Sequence, residues 1–324
     1  MTIEPSLPAG REPLLTGITT FLAEQDPSTL EDIRQSLSRE LDEAGPGAID
    51  ALCDRLAQTG RDWHYYARDP LARRIHEILA ERLLGPDMFR VDLPDLDDLA
   101  ERPVVMVANH LSYSDANVLD VLLRRAGAGS LCDRLTVIAG PKVYSTIKRR
   151  FSSLCFGTVK VPQSSGRASE EAVMPSREIA RAARLAIDTA LQRLSVGEAL
   201  LVFAEGTRSR SADMQRFLPG AARYLDYPGT IVLPVALTGT EDLFPVGERT
   251  FRPAPIAVRF GRPLSADGLR AQCRKDRRLM VDAIGIAIAD LLPPAYRGTY
   301  RRDIPELQPA VAVLDDLTEQ SHQA

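Results

Sequence analysis

The chain of 324 residues lacks several features that would assign a protein to a class at once. Its few cysteines are Cys53, Cys132, Cys155 and Cys273, and they follow no metal-binding or redox spacing, which indicates free thiols in a reducing compartment. The histidines are also too scattered to form a metal-ligand motif, so we expect no metal and no bound cofactor. The absence of internal repeats and low-complexity tracts excludes a repeat architecture.

A long apolar run is also missing. No segment approaches the roughly 18 consecutive apolar residues that a membrane-spanning helix requires. The first residues, MTIEPSLPAGREP, have neither the basic start nor the apolar stretch of an export signal. We therefore expect a cytoplasmic protein, and peripheral contact with the inner face of the membrane stays open.

The charge of the chain is small overall but unevenly distributed. The net charge is −4, yet residues 1–100 carry ten arginines, no lysine and twenty acidic side chains. The remaining residues carry thirty basic and twenty-four acidic side chains. This basic part suits anionic substrates or an acidic carrier protein. No nucleic-acid partner is expected, because no aromatic-basic module or zinc spacing is present.

The first part of the chain has helical periodicity. Apolar residues recur at helical spacing over 11–24, 28–43, 47–59 and 64–84, with breaks at Asp-Pro, Gly-Pro-Gly and Thr-Gly. Four consecutive helices predict a small bundle, which we assign to an N-terminal domain over residues 1–85.

Beyond this region, short apolar runs alternate with helical patterns. Such alternation predicts an α/β domain over residues 86–305, with a mixed, largely parallel sheet covered by helices. The runs at 104–108 and 199–204 are the strands that precede the most informative residues. We expect residues 306–324 to form a disordered tail.

His110 and Asp115 lie where the first of these strands ends. A helix is predicted to begin near Ser112 or Ser114, which would place Asp115 in its first turn and allow it to fold back to the imidazole. An Asp bonded to one ring nitrogen fixes the tautomer and leaves the other nitrogen free to accept a proton. The pair therefore indicates a general base. A helix-capping Asp beside a loop His is the structural alternative.

A second polar loop follows the strand at 199–204, at the end of the sheet where open α/β folds bind ligands. Its arginines offer planar forks to phosphate or carboxylate, and its glycine permits a tight turn. The residues assigned to this loop are Glu205, Gly206, Thr207, Arg208 and Arg210. A solvated, salt-bridged loop is the alternative interpretation.

Taken in order, the stretches NHLSYSD, FGTVKVPQ, FAEGTRS and IVLPVALTG resemble the four motifs of the glycerolipid acyltransferase family. The resemblance extends over roughly residues 100–300. It implies transfer of a fatty acyl group from acyl-CoA or acyl carrier protein to a hydroxyl of glycerol 3-phosphate or lysophosphatidate. It also implies that His110 is the base and Asp115 its orienting partner, with Glu205, Gly206 and Arg208 in the acceptor site.

One position departs from the family pattern. The second motif usually ends in an arginine that helps to hold the acceptor's phosphate, whereas this chain has Gln163 there. A neutral amide cannot replace a guanidinium as a phosphate clamp, so we expect Lys160 and Arg167 to compensate. The departure leaves open an acceptor without phosphate, such as the amine or hydroxyl of a lyso-aminolipid or a specialised metabolite.

Residues 148–151, with the sequence KRRF, form a basic and aromatic stretch. Such a stretch is typical of a solvated helix end, and the alternative is a patch that contacts a membrane surface, an acidic carrier protein or the phosphates of coenzyme A.

Two other classes of protein remain as rivals. A hydrolase would use water in place of the acceptor, but the chain has no GxSxG nucleophile elbow. A lipid-binding protein without activity would have no need for His110, Asp115, Glu205 and Arg208 together.

Overall fold

A computed structural model describes residues 10–19, 22, 27–92, 99, 101–162, 175–245 and 250–323. The α-helices in chain order are α1 (Arg11–Thr19), α2 (Pro27–Gln58), α3 (Pro70–Leu83), α4 (Asp115–Arg125), α5 (Gly129–Asp133), α6 (Ile147–Leu154), α7 (Ser176–Ser195), α8 (Thr240–Leu243), α9 (Ala266–Gln272), α10 (Arg277–Leu291) and α11 (Gln308–Gln323). The strands are β1 (Tyr65–Tyr66), β2 (Phe89–Asp92), β3 (Val104–Ala108), β4 (Leu135–Ala139), β5 (Gly157–Lys160), β6 (Ala199–Phe203), β7 (Ile231–Thr238), β8 (Ile256–Phe260) and β9 (Leu264–Ser265). Short 3₁₀ helices lie at Pro86–Met88, Pro141–Tyr144, Pro219–Leu225, Pro294–Tyr296 and Pro305–Leu307.

The chain divides into two compact units, each built from several segments. The first unit consists of Met1–Phe89, Val137–Thr189 and Asp242–Pro255. The second unit consists of Arg90–Thr136, Ala190–Glu241 and Ile256–Ala324. We predicted a domain boundary near residue 86. The first unit changes to the second close to that point, but it also includes later segments, so a separate N-terminal bundle domain over 1–85 stays a prediction.

The N-terminal helices of the first unit are α1, α2 and α3. Helix α2 is kinked at Gly45, whose φ of +77° is outside the helical region and is readily adopted by glycine. The next residue, Pro46, has no N–H to donate across the kink. The helices predicted over 28–43 and 47–59 are therefore the two arms of α2, and the expectation of N-terminal helices is confirmed.

The helix predicted over 64–84 is shorter than expected. Tyr65 and Tyr66 are extended instead and pair antiparallel with β5. Helix α3 begins only at Pro70, because the Asp69 carboxylate accepts the N–H groups of Leu71 and Ala72 at 2.9 and 3.0 Å. Proline at the first helical position reinforces this start.

The burial of Arg150 and Phe151 contradicts the solvated helix end predicted at residues 148–151, and equally the alternative of a basic surface patch. These residues lie on α6, which turns Arg150 and Phe151 inward, with 2% and 8% of their surface exposed. The ammonium of Lys148 lies over the ring of Phe244, 3.7 Å from its centroid. The KRRF sequence did not predict this burial, because a long basic side chain can bury its apolar stem even where its charge suggests exposure.

The second unit contains the sheet that positions the candidate site. Its strands are ordered β6-β3-β7-β8-β2, with β9 also paired to β7. Strand β3 is parallel to both β6 and β7, whereas β7 is antiparallel to β8 and β9. All five residues of β3 are buried, as expected for a central strand covered on both faces. The predicted mixed sheet flanked by helices is confirmed.

The C-terminal residues contradict the expected disordered tail. Residues 308–323 form α11, which packs against α9 and α10. Apolar side chains at helical spacing, Leu307, Ala310, Leu314 and Leu317, are buried at this contact. The tail is ordered because this stripe buries enough apolar surface to offset its conformational entropy.

Among the described residues, no helix combines the length and the apolar character needed to cross a bilayer.

Candidate active site

Two neighbouring strands bring the two sequence motifs together. In the parallel pair of β3 and β6, Ala108 lies opposite Phe203. The residues that follow, His110 on one strand and Glu205 on the other, therefore leave the sheet at the same end. This is the end at which parallel sheets bind ligands.

The predicted His–Asp pair is present. The Nδ1 atom of His110 lies 2.8 Å from Oδ2 of Asp115. Asp115 is the first residue of α4 and is fully buried, whereas the His110 side chain is 15% exposed. Because the carboxylate oxygen is an acceptor, Nδ1 carries the ring proton in the neutral imidazole, and Nε2 keeps its lone pair.

Three further groups hold the Asp115 carboxylate. The N–H of Leu111 donates to Oδ2 at 2.7 Å, and the N–H of Ser112 donates to both oxygens at 3.0 Å. The Thr240 hydroxyl donates to Oδ1 at 2.6 Å. Ser114 occupies the cap position of α4 but makes no side-chain capping bond. The carboxylate therefore orders the loop before α4, which goes beyond its predicted contact with the imidazole.

Glu205 connects the two motif loops from a fully buried position. Its Oε1 accepts the backbone N–H of His110, and its Oε2 accepts the backbone N–H of Gln215, both at 2.8 Å. The N–H of Ser209 donates back to the carbonyl of His110 at 2.7 Å. The two loops are thus locked together at the backbone of His110. Each Glu205 oxygen accepts a backbone N–H, and the predicted binding of the acceptor by Glu205 stays a prediction.

Aromatic rings set the position of the imidazole. The ring of Phe203 stacks on that of His110, with centroids 4.2 Å apart and an interplanar angle of 22°. Tyr113 meets the imidazole edge-on at 6.4 Å. Offset stacking of this kind restricts the ring and shields one of its faces from water.

Arg208 lies close to this arrangement. Its guanidinium carbon is 4.7 Å from the centroid of the Tyr113 ring, in cation–π geometry. Together with the separation of Tyr113 from His110, this bounds the distance between the imidazole and the guanidinium at about 11 Å. A small phosphorylated alcohol can contact both groups across such a distance.

The other residues of the loop are less constrained. Gly206 has a φ of +71°, as its role in a tight turn predicts, and its N–H donates to the carbonyl of Phe203 at 3.0 Å. Thr207 is half-buried, and Arg210 is exposed. The structure therefore brings His110, Asp115, Glu205, Gly206, Thr207 and Arg208 into one loop cluster, with Arg210 at its exposed side.

Lys160 belongs to the first unit and is largely buried there. Its ammonium donates to the carbonyl of Gly60 at 2.6 Å and lies 4.2 Å from the centroid of the Trp63 ring. Burial lowers the pKa of this lysine, and the charge of Asp62 opposes that change. The ammonium is thus already engaged by its own unit. Gln163 and Arg167 lie outside the described residues.

The part of the chain that contains this site is similar to a known protein family. A sequence model of the acyltransferase family matches residues 90–238. Over this range the chain is similar to acyltransferases. The matched range contains His110, Asp115 and the loop from Glu205 to Arg210, and it overlaps the region of the sequence resemblance over residues 100–238.

Curated relatives support this assignment. A 1-acyl-sn-glycerol-3-phosphate acyltransferase of Chlamydomonas reinhardtii is 28% identical over 221 residues, which cover 68% of this chain and 56% of the relative. A probable enzyme of the same name from Mycoplasma genitalium is 29% identical over 142 residues, covering 44% and 46%. The chain thus spans about half the length of these relatives. The crystal structure of PlsC, the lysophosphatidate acyltransferase of Thermotoga maritima, aligns at 18% identity with a TM-score of 0.44, covering 79% of this chain and 96% of that one.

Several residues around the site were not predicted from the sequence. Asn109 is fully buried, and its amide bonds to both the carbonyl and the N–H of Leu237 on β7, at 2.9 and 2.8 Å. Tyr113 supports Arg208, and Thr240 bonds to Asp115. Asn109 and Tyr113 lie within the NHLSYSD stretch, and their closeness to His110 in the sequence could have indicated that they belong to the site. Thr240 had no such signal, because it is distant in sequence.

Proposed function

We propose that the protein transfers a fatty acyl group from acyl-CoA or acyl carrier protein to a hydroxyl of lysophosphatidate or glycerol 3-phosphate, with His110 as general base. The observation that carries this proposal is the bond from His110 Nδ1 to the buried Asp115. It leaves Nε2 of a partly exposed ring to accept a proton, beside a loop that presents a guanidinium.

The reaction needs a base because a neutral alcohol is a poor nucleophile near neutral pH. The acceptor's O–H proton moves to Nε2 of His110 as the oxygen adds to the thioester carbonyl. The tetrahedral intermediate then expels sulfur, the C–S bond breaks, and the imidazolium returns the proton to the thiolate. Asp115 stabilises the imidazolium throughout and remains ionised.

Arg208 is our candidate for holding the acceptor's phosphate, with Arg210 at the exposed side. Tyr113 supports the Arg208 guanidinium by its ring and leaves the planar donors available for a bidentate contact. Gly206 and Thr207 line the approach. Glu205 acts as a positioning residue, because both of its oxygens are occupied by backbone donors. The names of the curated relatives support a phosphorylated glycerolipid acceptor.

A non-phosphorylated acceptor is the second candidate. Gln163 replaces the expected arginine, and Lys160, which we predicted to compensate, donates a hydrogen bond to the carbonyl of Gly60 and packs against Trp63. Both observations reduce the number of cations available for a phosphate. An amine or hydroxyl on a lyso-aminolipid or specialised metabolite is the corresponding substrate class.

Acyl carrier protein as donor and peripheral contact with the membrane face remain part of the proposal. The basic balance of residues 101–324 supports an acidic carrier, and a lysolipid acceptor would be taken from a membrane surface. A cytoplasmic location is proposed together with these partners.

A panel of purified reactants tests the function. Acyl-CoA and acyl carrier protein donors are each combined with glycerol 3-phosphate, lysophosphatidate and monoacylglycerol, and products are identified by mass spectrometry. Acylation of a phosphorylated acceptor by the wild-type protein supports the leading proposal, and acylation of monoacylglycerol alone supports the second. Free fatty acid as the only product in every combination would overturn both and indicate a hydrolase.

Arg208→Gln separates acceptor binding from chemistry in the same assay. The variant should raise the KM for the phosphorylated acceptor at least ten-fold and change kcat little, because it removes a charged bidentate contact. Arg223→Gln, at an exposed arginine of the same unit, is the matched control and should leave both constants unchanged.

A further inference from the structure

Thr240 is tied to the catalytic pair although it lies beyond the range matched by the family model. Its hydroxyl donates to Oδ1 of Asp115 at 2.6 Å, which is shorter than the 3.0 Å bond from Ser112 to the same oxygen. We propose that Thr240 is a positioning residue that fixes the Asp115 carboxylate and, through it, the tautomer of His110. This inference rests on the proposed function and specifies how its base is held.

The fold brings Thr240 to the carboxylate through β7. Asn109, next to His110, clamps the end of this strand by two bonds to the backbone of Leu237. Gly239 then turns the chain with a φ of +85°, and Thr240 follows with no exposed surface. The hydroxyl therefore reaches Asp115 from a rigid strand end, 125 residues away in sequence.

Glu241, the residue after Thr240, is also held by a hydrogen bond. The Tyr296 hydroxyl donates to Oε1 of Glu241, and the Tyr296 carbonyl accepts the N–H of Met214 at 2.9 Å. Met214 precedes Gln215, whose N–H holds Glu205. One turn near the C-terminus thus supports both sides of the site, the Thr240 side and the Glu205 side.

Removal of the Thr240 hydroxyl has a specific chemical consequence. In Thr240→Val a methyl group replaces the donor, and Oδ1 faces it in a fully buried position. Oδ1 then keeps only the N–H of Ser112, and because the loss of a donor to a buried carboxylate oxygen is penalised, the carboxylate should turn away from its present orientation. The bond to His110 Nδ1 then weakens, and the ring proton is shared between Nδ1 and Nε2.

Nitrogen-15 NMR of the His110 imidazole shows directly which ring nitrogen carries the proton, and the measurement needs no substrate. The wild-type His110 ring, assigned by its loss in His110→Gln, should carry its proton on Nδ1. Thr240→Val should show a substantial Nε2–H population, and Thr240→Ser, which keeps the hydroxyl, should resemble the wild type. An unchanged tautomer in Thr240→Val would overturn the proposal.

Thr230→Val is the matched control for the loss of a buried hydroxyl. Thr230 lies just before the opposite end of β7, is fully buried, and donates to the carbonyl of Tyr227 at 2.6 Å. This variant should lower thermal stability about as much as Thr240→Val but leave the His110 tautomer unchanged. If Thr230→Val and Thr240→Val changed the His110 tautomer equally, loss of any buried hydroxyl would be the cause, and the positioning role of Thr240 would be contradicted.

Kinetics complete the test. Thr240→Val should lower kcat about ten- to a hundred-fold with little change in acceptor KM, and Thr240→Ser should stay within about three-fold of wild type. If the wild-type protein acylates nothing in the reactant panel, the proposed function fails, and the NMR measurement still decides the role of Thr240. If transfer occurs but Thr240→Val keeps full kcat, the positioning role fails while the function stands.

Discussion

The two units both bury charged side chains, but they stabilise them in different ways. In the second unit Asp115 and Glu205 are fully buried, and their oxygens accept backbone N–H groups in fixed directions. In the first unit Lys160 and Lys148 lie over the rings of Trp63 and Phe244. Backbone donors hold a charge in one orientation, whereas an aromatic ring tolerates a cation over a broad surface. Only the carboxylates are therefore suited to orienting a catalytic group.

Contact with an aromatic ring does not offset the cost of burying Lys148 and Lys160, and the pKa values of both lysines show this. Burial lowers the pKa of Lys148 to about 8, and repulsion by Arg149 adds to the effect. Burial also lowers the pKa of Lys160. Each ammonium thus opposes folding at neutral pH.

The largest effect should come from breaking the His–Asp bond. Asp115→Asn should reduce kcat by about 10²- to 10⁴-fold, because the amide presents an N–H group to donors and no longer fixes the imidazole tautomer. Steady-state transfer rates give the comparison with wild type. Asp133→Asn, at an exposed carboxylate of the same unit, should keep its activity. Retention of more than about a tenth of wild-type kcat by Asp115→Asn would contradict the role of the pair.

Glu205→Gln tests whether the second carboxylate holds the loops together. An amide can accept from only one of the two backbone donors at His110 and Gln215, so we expect a loss of about 2 kcal/mol in the free energy of unfolding and about a ten-fold lower kcat. Urea denaturation measures the stability. Glu101→Gln, at an exposed position, should change neither quantity. A stable Glu205→Gln variant with normal kcat but raised acceptor KM would instead support direct acceptor binding by Glu205.

Tyr113→Leu examines a cation–π contact within the second unit. Loss of the ring under Arg208 should raise the acceptor KM about three- to ten-fold, in line with the strength of such contacts. Tyr113→Phe keeps the ring and should behave like the wild type. If both variants raise KM equally, the hydroxyl of Tyr113 matters more than its ring.

Lys148→Met should have the smallest effect, on stability and its pH dependence. The pKa of Lys148 lies below its ordinary value of 10.5 in the folded state, so the unfolded state binds more protons between about pH 8 and 10.5. The unfolding free energy of the wild type should therefore rise relative to the variant over this range, by about 1 kcal/mol. Urea denaturation at pH 7 and pH 10 measures the difference.

Lys275→Met provides the control for this measurement, because its side chain is exposed. Its stability difference from wild type should change little between the two pH values. A parallel change in both lysine variants would show that burial of Lys148 is not the cause.

The contact between His110 and Asp115 could be predicted from the sequence because it is local. The strand at 104–108, the start of α4 and the His110–Asp115 contact all fall within a dozen residues, where strand ends and helix starts have clear signals. The matching positions of Glu205 and Arg208 followed from the motif order and from the rule that parallel strands end at one edge.

Contacts between distant residues could not be predicted in this way. The bonds from His110 to Glu205 and from Thr240 to Asp115 join residues 95 and 125 positions apart. The order of the C-terminal tail was missed for the same reason, since the stripe that includes Leu314 becomes stable only on α9 and α10. The predicted role of Arg167 falls outside the described residues and stays a prediction.

Acceptor binding and acyl transfer, measured side by side in His110→Gln, test the central claim most directly. Calorimetry should show acceptor affinity within about three-fold of wild type, and a single-turnover experiment with bound donor should show transfer slowed by at least about a hundred-fold. This result would place His110 in the proton-transfer step. Transfer at the wild-type rate in His110→Gln would contradict the account.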